Sequence, residues 1–122
     1  EANRPVYVNG DRDLVRQVVV NLLVNSIKYG VQGGETLISY ADGGDKIIID
    51  VADNGIGIEK GHLPRLFERF YRVDKSRSRD QGGTGLGLAI VKHIIEAHSQ
   101  YISVHSEVGK GTTFSFSLQL SK

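Results

Sequence analysis

Polar residues stand on the apolar face of two predicted strands, where a buried ligand could reach them. Asp53 shares the alternation of the apolar residues at 47, 49 and 51, and Thr112 shares that of the residues at 114, 116 and 118. A buried carboxylate without a partner costs several kcal/mol, so Asp53 should accept a hydrogen bond. The donor would be a backbone N–H, the ordinary case, or the amino group of a ligand. The glycines at 54–58 would let the backbone approach a flat ligand closely.

A glycine cluster at 82–87 lies between a basic loop and the start of a predicted helix. Backbone N–H groups at a helix N-terminus, together with the helix dipole, form a site that suits phosphates. The spacing is not that of the dinucleotide-binding fingerprint, and the segment 109–112 matches only part of a Walker A motif. Because hinges and turns also use glycine, the cluster alone is weak evidence for an anion site.

A line of polar residues runs along the predicted helix at 11–29. Gln17, Asn21, Asn25 and Lys28 occupy this line when the sequence is projected at about 100° per residue, whereas apolar residues cover most of the remaining surface. Short amides favour caps and turns over helix interiors, so these asparagines need a reason. A solvent-facing side would explain them, although such sides are usually built from Glu, Lys and Arg.

These residues are positioned by a predicted order of strand, helix, strand, strand, short helix, loop, helix, strand, strand. This order fits a two-layer α/β sandwich, in which a mostly antiparallel or mixed sheet carries helices on one face. Residues 1–122 are expected to form a single domain. The predicted elements are a strand at 5–8, a helix at 11–29 with Asp11 as N-cap and Gly30 after its end, strands at 36–41 and 46–53 joined by a tight turn at 42–45, a short helix at 63–70, a helix at 85–98, and strands at 101–106 and 112–120.

The composition is that of an ordinary globular domain, with 39% hydrophobic and 24% charged residues. The 15 Lys and Arg nearly balance the 14 Asp and Glu, so the overall charge favours neither nucleic acid nor a membrane surface. The absence of cysteine excludes disulfide and thiolate chemistry and fits a cytoplasmic domain. The chain has no apolar run of membrane-spanning length and no initiator methionine, and we expect it to be part of a longer protein.

Four motifs resemble, in order and spacing, the N, G1, F and G2 boxes of sensor histidine kinases. They lie at 21–29, 53–57, 66–72 and 83–88, and the segment 109–114 is similar to the closing strand motif of the same family. The resemblance covers essentially the whole chain. The sequence RVDKSRSR, followed by GGTGLGLAIVKHII, looks most like that of kinases of the phosphate-regulon type. It implies a Bergerat-type sandwich, the fold of a superfamily that also includes gyrase-type and mismatch-repair ATPases.

The resemblance implies a pocket for the adenine of ATP. Asp53 would bind the amino group of the base, Thr112 would assist through a water molecule, and Tyr29 would flank the ring. The first of these roles agrees with the strand alternation of Asp53. The residues that would shape the pocket around the base are Gly55, Gly57 and Ile58.

The resemblance also implies a place for Mg²⁺ and the phosphates. Asn25 would be the protein ligand for Mg²⁺, Asn21 would hold the water around the ion, and Lys28 would reach the phosphates. Relatives that hydrolyse ATP carry a glutamate, which acts as the general base, at the position of Asn21. General-base catalysis typically accelerates a reaction by a factor of 10²–10⁴, and an amide cannot supply it. The site should therefore hold ATP without hydrolysing it. The residues that would cradle the triphosphate are Gly83, Thr84, Gly85, Leu86 and Gly87.

The polar segment at about 72–83 would be an ATP lid. Its length alone is typical of a functional loop or of disorder. Arg72 is the candidate for stabilising the γ-phosphate charge during transfer, with Lys75 as a second. Phe67 and Phe70 would anchor the lid, although plain core packing also explains them. A solvated surface would equally explain Lys75 and the basic residues that follow it.

The function that the resemblance implies is transfer of the γ-phosphoryl group of Mg-ATP to a protein histidine. None of the four histidines stands in the family's acceptor motif, so the acceptor would belong to a separate dimerisation and phosphoacceptor domain. A response regulator would be an indirect partner, and the isolated fragment is expected to be a monomer at the cytosolic end of a membrane-anchored bacterial sensor, without direct contact with the membrane or with nucleic acid. Two alternatives stay open: an anti-sigma-type serine kinase on the same scaffold, and a nucleotide-sensing interaction domain without transfer activity.

Overall fold

The computed structural model describes residues 8–28, 33–71 and 86–120. The predicted order of helices and strands is confirmed, whereas most of the predicted first strand, Gly30 and the predicted loop at 72–83 lie outside the described residues. The elements are β1 Val8–Asn9, α1 Arg12–Lys28, β2 Thr36–Asp42, β3 Lys46–Asp53, a 3₁₀ helix Lys60–Arg65, α2 Gly87–Ala97, β4 Ile102–Glu107 and β5 Gly111–Leu120.

Helix α1 begins at the N-cap that the sequence predicts. One carboxylate oxygen of Asp11 accepts the backbone N–H groups of Asp13 and Leu14 at 3.0 and 3.1 Å, which satisfies two donors that a helix start otherwise leaves without partners. The backbone N–H of Asp11 also donates to His98 Nε2 at 3.0 Å. Because His98 directly follows α2, this bond joins the start of one helix to the end of the other.

The short helix after β3 lies earlier in the chain than the predicted range of 63–70. Its first turn closes with a hydrogen bond from the His62 N–H to the Glu59 carbonyl at 3.0 Å. The helix ends at Arg65, and 66–70 form turns instead, in which the Glu68 N–H donates to the Arg65 carbonyl at 3.0 Å. Phe70, with a φ of +67°, adopts a left-handed conformation that a right-handed helix excludes. The predicted bounds were therefore wrong, and the apolar spacing of this segment reflects turns that pack on the core.

The sheet has five described strands, and all of their pairings are antiparallel. β3 lies between β2 and β5, while the other edge of β5 pairs first with β4 and then, at its last residues, with β1. The predicted two-layer α/β sandwich is confirmed, but the sheet is antiparallel rather than mixed in the described residues. Tight connections, such as the turn in which the Gly43 N–H donates to the Lys46 carbonyl at 2.9 Å, bring neighbouring strands back in opposite directions.

The core lies between one face of this sheet and the two helices. Register places Val51 opposite Phe114 and Ile49 opposite Phe116, so the apolar alternation of β3 and β5 falls on one face. Burial of a side chain of this size contributes about 1.5–3 kcal/mol, which makes this face the main source of stability. The fully or nearly fully buried apolar residues are Val18, Leu22, Ile47, Val51, Ile58, Leu66, Val91, Ile94, Ile95, Phe114, Phe116 and Leu118.

Candidate functional site

A row of four polar residues crosses the sheet at one end of this face. The ladder pairs Thr36 of β2 with Asp53 of β3, Asp53 with Thr112 of β5, and Thr112 with Ser106 of β4. We call Thr36, Asp53, Thr112 and Ser106 the polar row. Thr112 is only 4% exposed, as its predicted place on the apolar face requires. The strand alternation therefore placed Asp53 and Thr112 together correctly.

The carboxylate of Asp53 has three donors within the described residues. Oδ1 accepts the backbone N–H of Gly55 at 2.9 Å and that of Thr112 at 3.2 Å, and Oδ2 accepts the hydroxyl of Ser26 at 3.2 Å. The backbone N–H donors anticipated for this carboxylate are therefore present. A carboxylate has about four acceptor positions, and one on Oδ2 is left over for a further donor. Asp53 can therefore still accept the N–H of a ligand.

Ser26 and Ser106 support this carboxylate and its neighbour, and neither was among the predicted site residues. Ser26 is 4% exposed and lies on the buried side of α1, four residues after Leu22 and eight after Val18. Ser106 Oγ accepts the Ile58 N–H at 2.8 Å and lies 2.8 Å from Thr112 Oγ1. Each serine follows buried or half-buried apolar residues on the same face of its helix or strand. A polar residue at the end of such an apolar face is the sequence signal that would have identified it as a site residue.

The segment 54–58 folds back onto the turn between β4 and β5. The Gly109 N–H donates to the Ile56 carbonyl at 2.9 Å, and a Cβ on Gly57, whose φ is +79°, would lie 2.2 Å from the Glu107 carbonyl oxygen. Glycine is thus required at 57 by the close approach of two backbones, while its predicted approach to a flat ligand stays a prediction. Ile58, another predicted pocket residue, is buried in the core.

The amide line of α1 lies beside the start of α2. Asn21 is half-buried, and its Nδ2 donates to the carbonyl oxygen of Gly87, the first residue of α2, at 3.4 Å. Asn25 is also half-buried, and its side-chain amide makes no hydrogen bond with another described residue. Gln17, at the far end of the line, is exposed. The structure therefore brings Asn21 to the start of α2, whereas the Asn25 amide has no hydrogen-bond partner among residues 8–28, 33–71 and 86–120.

Several predicted site residues lie outside the described part of the chain. They are Tyr29, Arg72, Lys75, Gly83, Thr84 and Gly85, and the side chain of Lys28 is likewise outside it. Leu86 immediately precedes α2 and is half-buried. Phe67 makes an edge contact with Phe114, whereas Phe70 is 61% exposed, so only the first of the two aromatic residues packs on the core.

A cleft of about 220 Å³ opens beside the polar row. This volume is below the 300–1,000 Å³ that is typical of a pocket for a whole small molecule, so it suits one part of a ligand, such as a planar ring. Asp53, whose carboxylate retains an acceptor position on Oδ2, is one of the residues that line the cleft. The residues that line it are Ser26, Ile27, Gly33, Gly34, Glu35, Thr36, Asp53 and Asn54.

Charged groups in the described residues give the site little other chemistry. No group of three or more His, Asp or Glu residues that could hold a metal ion occurs in 8–28, 33–71 and 86–120. Arg65 on the 3₁₀ helix has a raised pKa, because it donates a hydrogen bond to Glu68 and is attracted by its charge, but both side chains are exposed. Both ring nitrogens of His98 are hydrogen-bonded, one to the Asp11 N–H and the other to the Ile94 carbonyl, and His93 is exposed.

The site joins a carboxylate at the end of a strand to the amide-bearing helix α1 in a two-layer α/β domain. The family model described as "Histidine kinase-, DNA gyrase B-, and HSP90-like ATPase" matches residues 10–122. The chain belongs to this family, as its sequence motifs predict.

Its curated relatives are sensor histidine kinases. The chain is 49% identical over 111 residues to sensor-like histidine kinase SenX3 of Mycolicibacterium smegmatis, covering 91% of this chain and 29% of that protein. It is 45% identical over 118 residues to sensor histidine kinase WalK of Bacillus subtilis, covering 95% and 19%. Phosphate regulon sensor protein PhoR of Pseudomonas aeruginosa matches with 44% identity over 114 residues, covering 93% and 26%. The predicted likeness to phosphate-regulon kinases is supported, although the identities to SenX3 and WalK are slightly higher.

Solved structures show the same fold. The mycobacterial sensor histidine kinase MprB matches with a TM-score of 0.82 and 29% identity, covering 93% of this chain and 76% of that one. Full-length ShkA in complex with AMPPNP matches with a TM-score of 0.79 and 29% identity, covering 97% and 24%. This chain spans less than a third of the curated relatives named above. In the described part of the chain, no helix combines the length and apolar character needed to cross a membrane.

Proposed function

We propose that this chain is the catalytic and ATP-binding module of a two-component sensor histidine kinase. It binds Mg-ATP and transfers the γ-phosphoryl group to a histidine on a separate dimerisation and phosphoacceptor domain. The observation that carries the proposal is the Asp53 carboxylate, which is held by Ser26, Gly55 and Thr112 and retains one acceptor position on Oδ2 beside a cleft. That position suits the exocyclic amino group of adenine.

The amide line supplies the phosphate end of the proposed site. The Asn25 amide oxygen is a hard ligand of the type that Mg²⁺ accepts, and Mg²⁺ is usually held by few protein groups together with substrate phosphates. The described residues contain no cluster of carboxylates that could hold a metal ion by itself, which fits this pattern. When bound, Mg²⁺ neutralises charge on the phosphates. Asn21, tied to the Gly87 carbonyl, would orient water beside the ion and cannot act as a general base.

Phosphoryl transfer in such a site depends mainly on positioning and on neutralisation of charge. The start of α2 would bind the phosphates through backbone N–H groups and the helix dipole, together with 83–87. Lys28 would reach the same phosphates, Tyr29 would flank the base, and Arg72, with Lys75 second, would stabilise the γ-phosphate. These four roles rest on the motifs alone.

The sensor names of the relatives support a place for the module in a longer bacterial protein. We propose that this protein is anchored in a membrane, that the module lies on its cytoplasmic side, and that a response regulator receives the phosphoryl group from the histidine. The module itself would act as a monomer that docks on a dimeric acceptor domain.

Calorimetry with ATP tests the binding half of the proposal. The folded chain should bind ATP more tightly with Mg²⁺ than without it, and Asn25→Ala should remove most of that gain. Gln17→Ala is the matched control, because Gln17 lies on the same line but is exposed. Absence of ATP uptake by the folded chain at millimolar ligand would contradict the proposal.

Transfer is tested by adding a dimeric phosphoacceptor domain and radiolabelled Mg-ATP. The expected product is an acid-labile phosphohistidine on the acceptor, and the chain alone should stay unlabelled. An acid-stable phosphoserine on a protein substrate would instead identify the serine kinase alternative. Normal ATP affinity without transfer in the full-length protein would favour a nucleotide sensor.

A further inference from the structure

Asn54 joins the end of β3 to the segment 33–35, which lines the cleft. The Asn54 backbone N–H donates to the Glu35 carbonyl at 3.3 Å, and Asn54 Oδ1 accepts the Glu35 N–H at 2.8 Å. Because a backbone N–H can only donate, the side-chain atom that meets it must be the amide oxygen. Asn54 therefore makes two bonds to the backbone of one residue, with its side chain supplying the shorter of them.

These two bonds continue the pairing of β2 with β3 one step beyond its last pair. Thr36 lies opposite Asp53 in the ladder, and Glu35 and Asn54 are their outer neighbours. β2 is at the edge of the described sheet, where only β3 pairs with it. A Cβ on Gly33, whose φ is +75°, would meet no atom within 4 Å. Within the described part of the chain, the bonds to Asn54 are the hydrogen bonds that tie 33–35 to the sheet.

The segment 33–35 matters to a ligand because it lines the same cleft as Asp53. The other lining residues include Ser26, whose hydroxyl donates to the Asp53 carboxylate. Two of the three residues at 33–35 are glycines, so this part of the lining is mainly backbone, which a flat ring can approach closely. If the segment is in place for only a fraction of the time, the apparent affinity for a ring falls by that fraction.

We propose that Asn54 is a positioning residue that keeps 33–35 in place as the wall on which the base of the nucleotide packs. The proposal rests on the proposed ATP-binding function and adds a residue that acts on the base through this wall. Loss of the Asn54 amide leaves the wall with a single bond of 3.3 Å to the end of β3, so the wall is formed less often. A purely structural Asn54 would instead lower the stability of the fold without changing the affinity of the folded chain.

Calorimetry compares the dissociation constants of Mg-ATP for the folded chain and its variants. Asn54→Ala should weaken binding roughly three- to tenfold, the value of about one hydrogen bond. Asp42→Ala is the matched control, because Asp42 Oδ1 accepts the Gly44 N–H at 2.9 Å at the other end of the same two strands. It loses a bond of the same kind away from the cleft and should leave the affinity unchanged. Asn54→Asp keeps an oxygen acceptor and should restore most of the affinity at high salt, where its added charge is screened.

Hydrogen exchange of the Glu35 amide follows the wall itself. This N–H donates to Asn54 Oδ1, so it should exchange faster in Asn54→Ala than in the unaltered chain. Asp42→Ala should leave its exchange unchanged. Saturation with Mg-ATP should slow the exchange, because a bound base holds the wall in place.

A second variant keeps the test decisive if Asn54→Ala does not fold. Glu35→Pro removes the N–H of the same bond at a position just before a strand, where proline is tolerated, and should weaken Mg-ATP binding to a similar extent. Unchanged affinity in either variant, or an equal loss in Asp42→Ala, would overturn the role of Asn54 and leave the ATP-binding proposal standing. Failure of the unaltered chain to bind Mg-ATP would overturn both.

Discussion

Two neighbouring rows of cross-strand residues on the same face of the sheet differ in chemistry. In the polar row, Asp53 is paired with Thr112 across β3 and β5, and its charge is held by named donors. In the next row on that face, Val51 is paired with Phe114, and both side chains are fully buried. The strands and their register are the same, yet one row supplies stability and the other supplies the candidate site. The apolar rows of the sheet therefore position the polar groups that we propose bind the ligand.

The largest effect is expected from the apolar row. Phe114→Ala should lower the free energy of unfolding by about 3–5 kcal/mol, because it removes a fully buried aromatic ring and leaves a cavity. Urea denaturation measures this loss, and the fraction that remains folded should bind ATP as before. Tyr40→Ala, at a 44% exposed position on the edge strand β2, is the control and should cost far less. A loss below about 1 kcal/mol would show that this row does not anchor the fold.

The next effect is expected from a close approach of two backbones beside the polar row. Gly111→Ala places a Cβ 2.0 Å from the Asp53 carbonyl oxygen at a φ of +129°, so strands β3 and β5 must separate beside the polar row. We expect a loss of roughly 2–3 kcal/mol together with weaker ATP binding. Gly44→Ala is a matched control, since Gly44 has a φ of +90° but open space around it, and it should cost only about 1–2 kcal/mol. Equal losses in the two variants would contradict the close approach at Gly111.

The polar row is tested by removing one charge. Asp53→Asn should weaken ATP binding by about ten- to hundredfold, the value of a hydrogen bond to a charged group, because the amide replaces an acceptor with a donor. Calorimetry measures the affinity. Asp50→Asn is the matched control on the same strand, where the carboxylate accepts the Ser115 hydroxyl at 2.6 Å outside the polar row. If both variants lost affinity alike, Asp53 would not be the group that binds the base.

The smallest effect concerns a polar contact outside the row. His98→Ala removes the acceptor of the Asp11 N–H and the contact with the Ile94 carbonyl, and it should lower the free energy of unfolding by about 1 kcal/mol. ATP affinity should stay unchanged, since this contact only joins the two helices. His93→Ala, at an exposed position on the same helix, should change neither quantity. A loss of ATP affinity in His98→Ala alone would mean that helix placement, in addition to the polar row, controls the site.

Much of the fold follows from local signals in the sequence. Strand alternation predicted β3 and β5 and placed Asp53 and Thr112 on the buried face, because a period of two leaves no freedom once one face is apolar. The side chain of Asp11 predicted the start of α1 for an equally local reason. The 3₁₀ helix was misplaced because the apolar spacing at 63–70 does not distinguish a helix from the successive turns that follow Arg65.

The supporting residues of the site depend on contacts between distant segments. Ser26 meets Asp53 across 27 positions and Ser106 meets Ile58 across 48, so no local pattern specifies these pairs. The same holds for Gly57, whose close neighbour is the backbone of Glu107. Motifs predict which residues bind a ligand, a prediction that stays open, whereas the residues that support Asp53 and Thr112 became evident only from the packing of distant segments.

The most direct test of the central claim is a two-dimensional ¹H–¹⁵N spectrum of the chain during titration with Mg-ATP. The amides of Gly55 and Thr112 donate to Asp53, so the account predicts that they shift strongly, together with the Asn25 side-chain amide. Amides of the apolar row, such as Val51, should shift little. Saturable binding without a shift of the Gly55 and Thr112 amide resonances would contradict the claim that Asp53 binds the base. Shifts confined to amides remote from the polar row would contradict it as well.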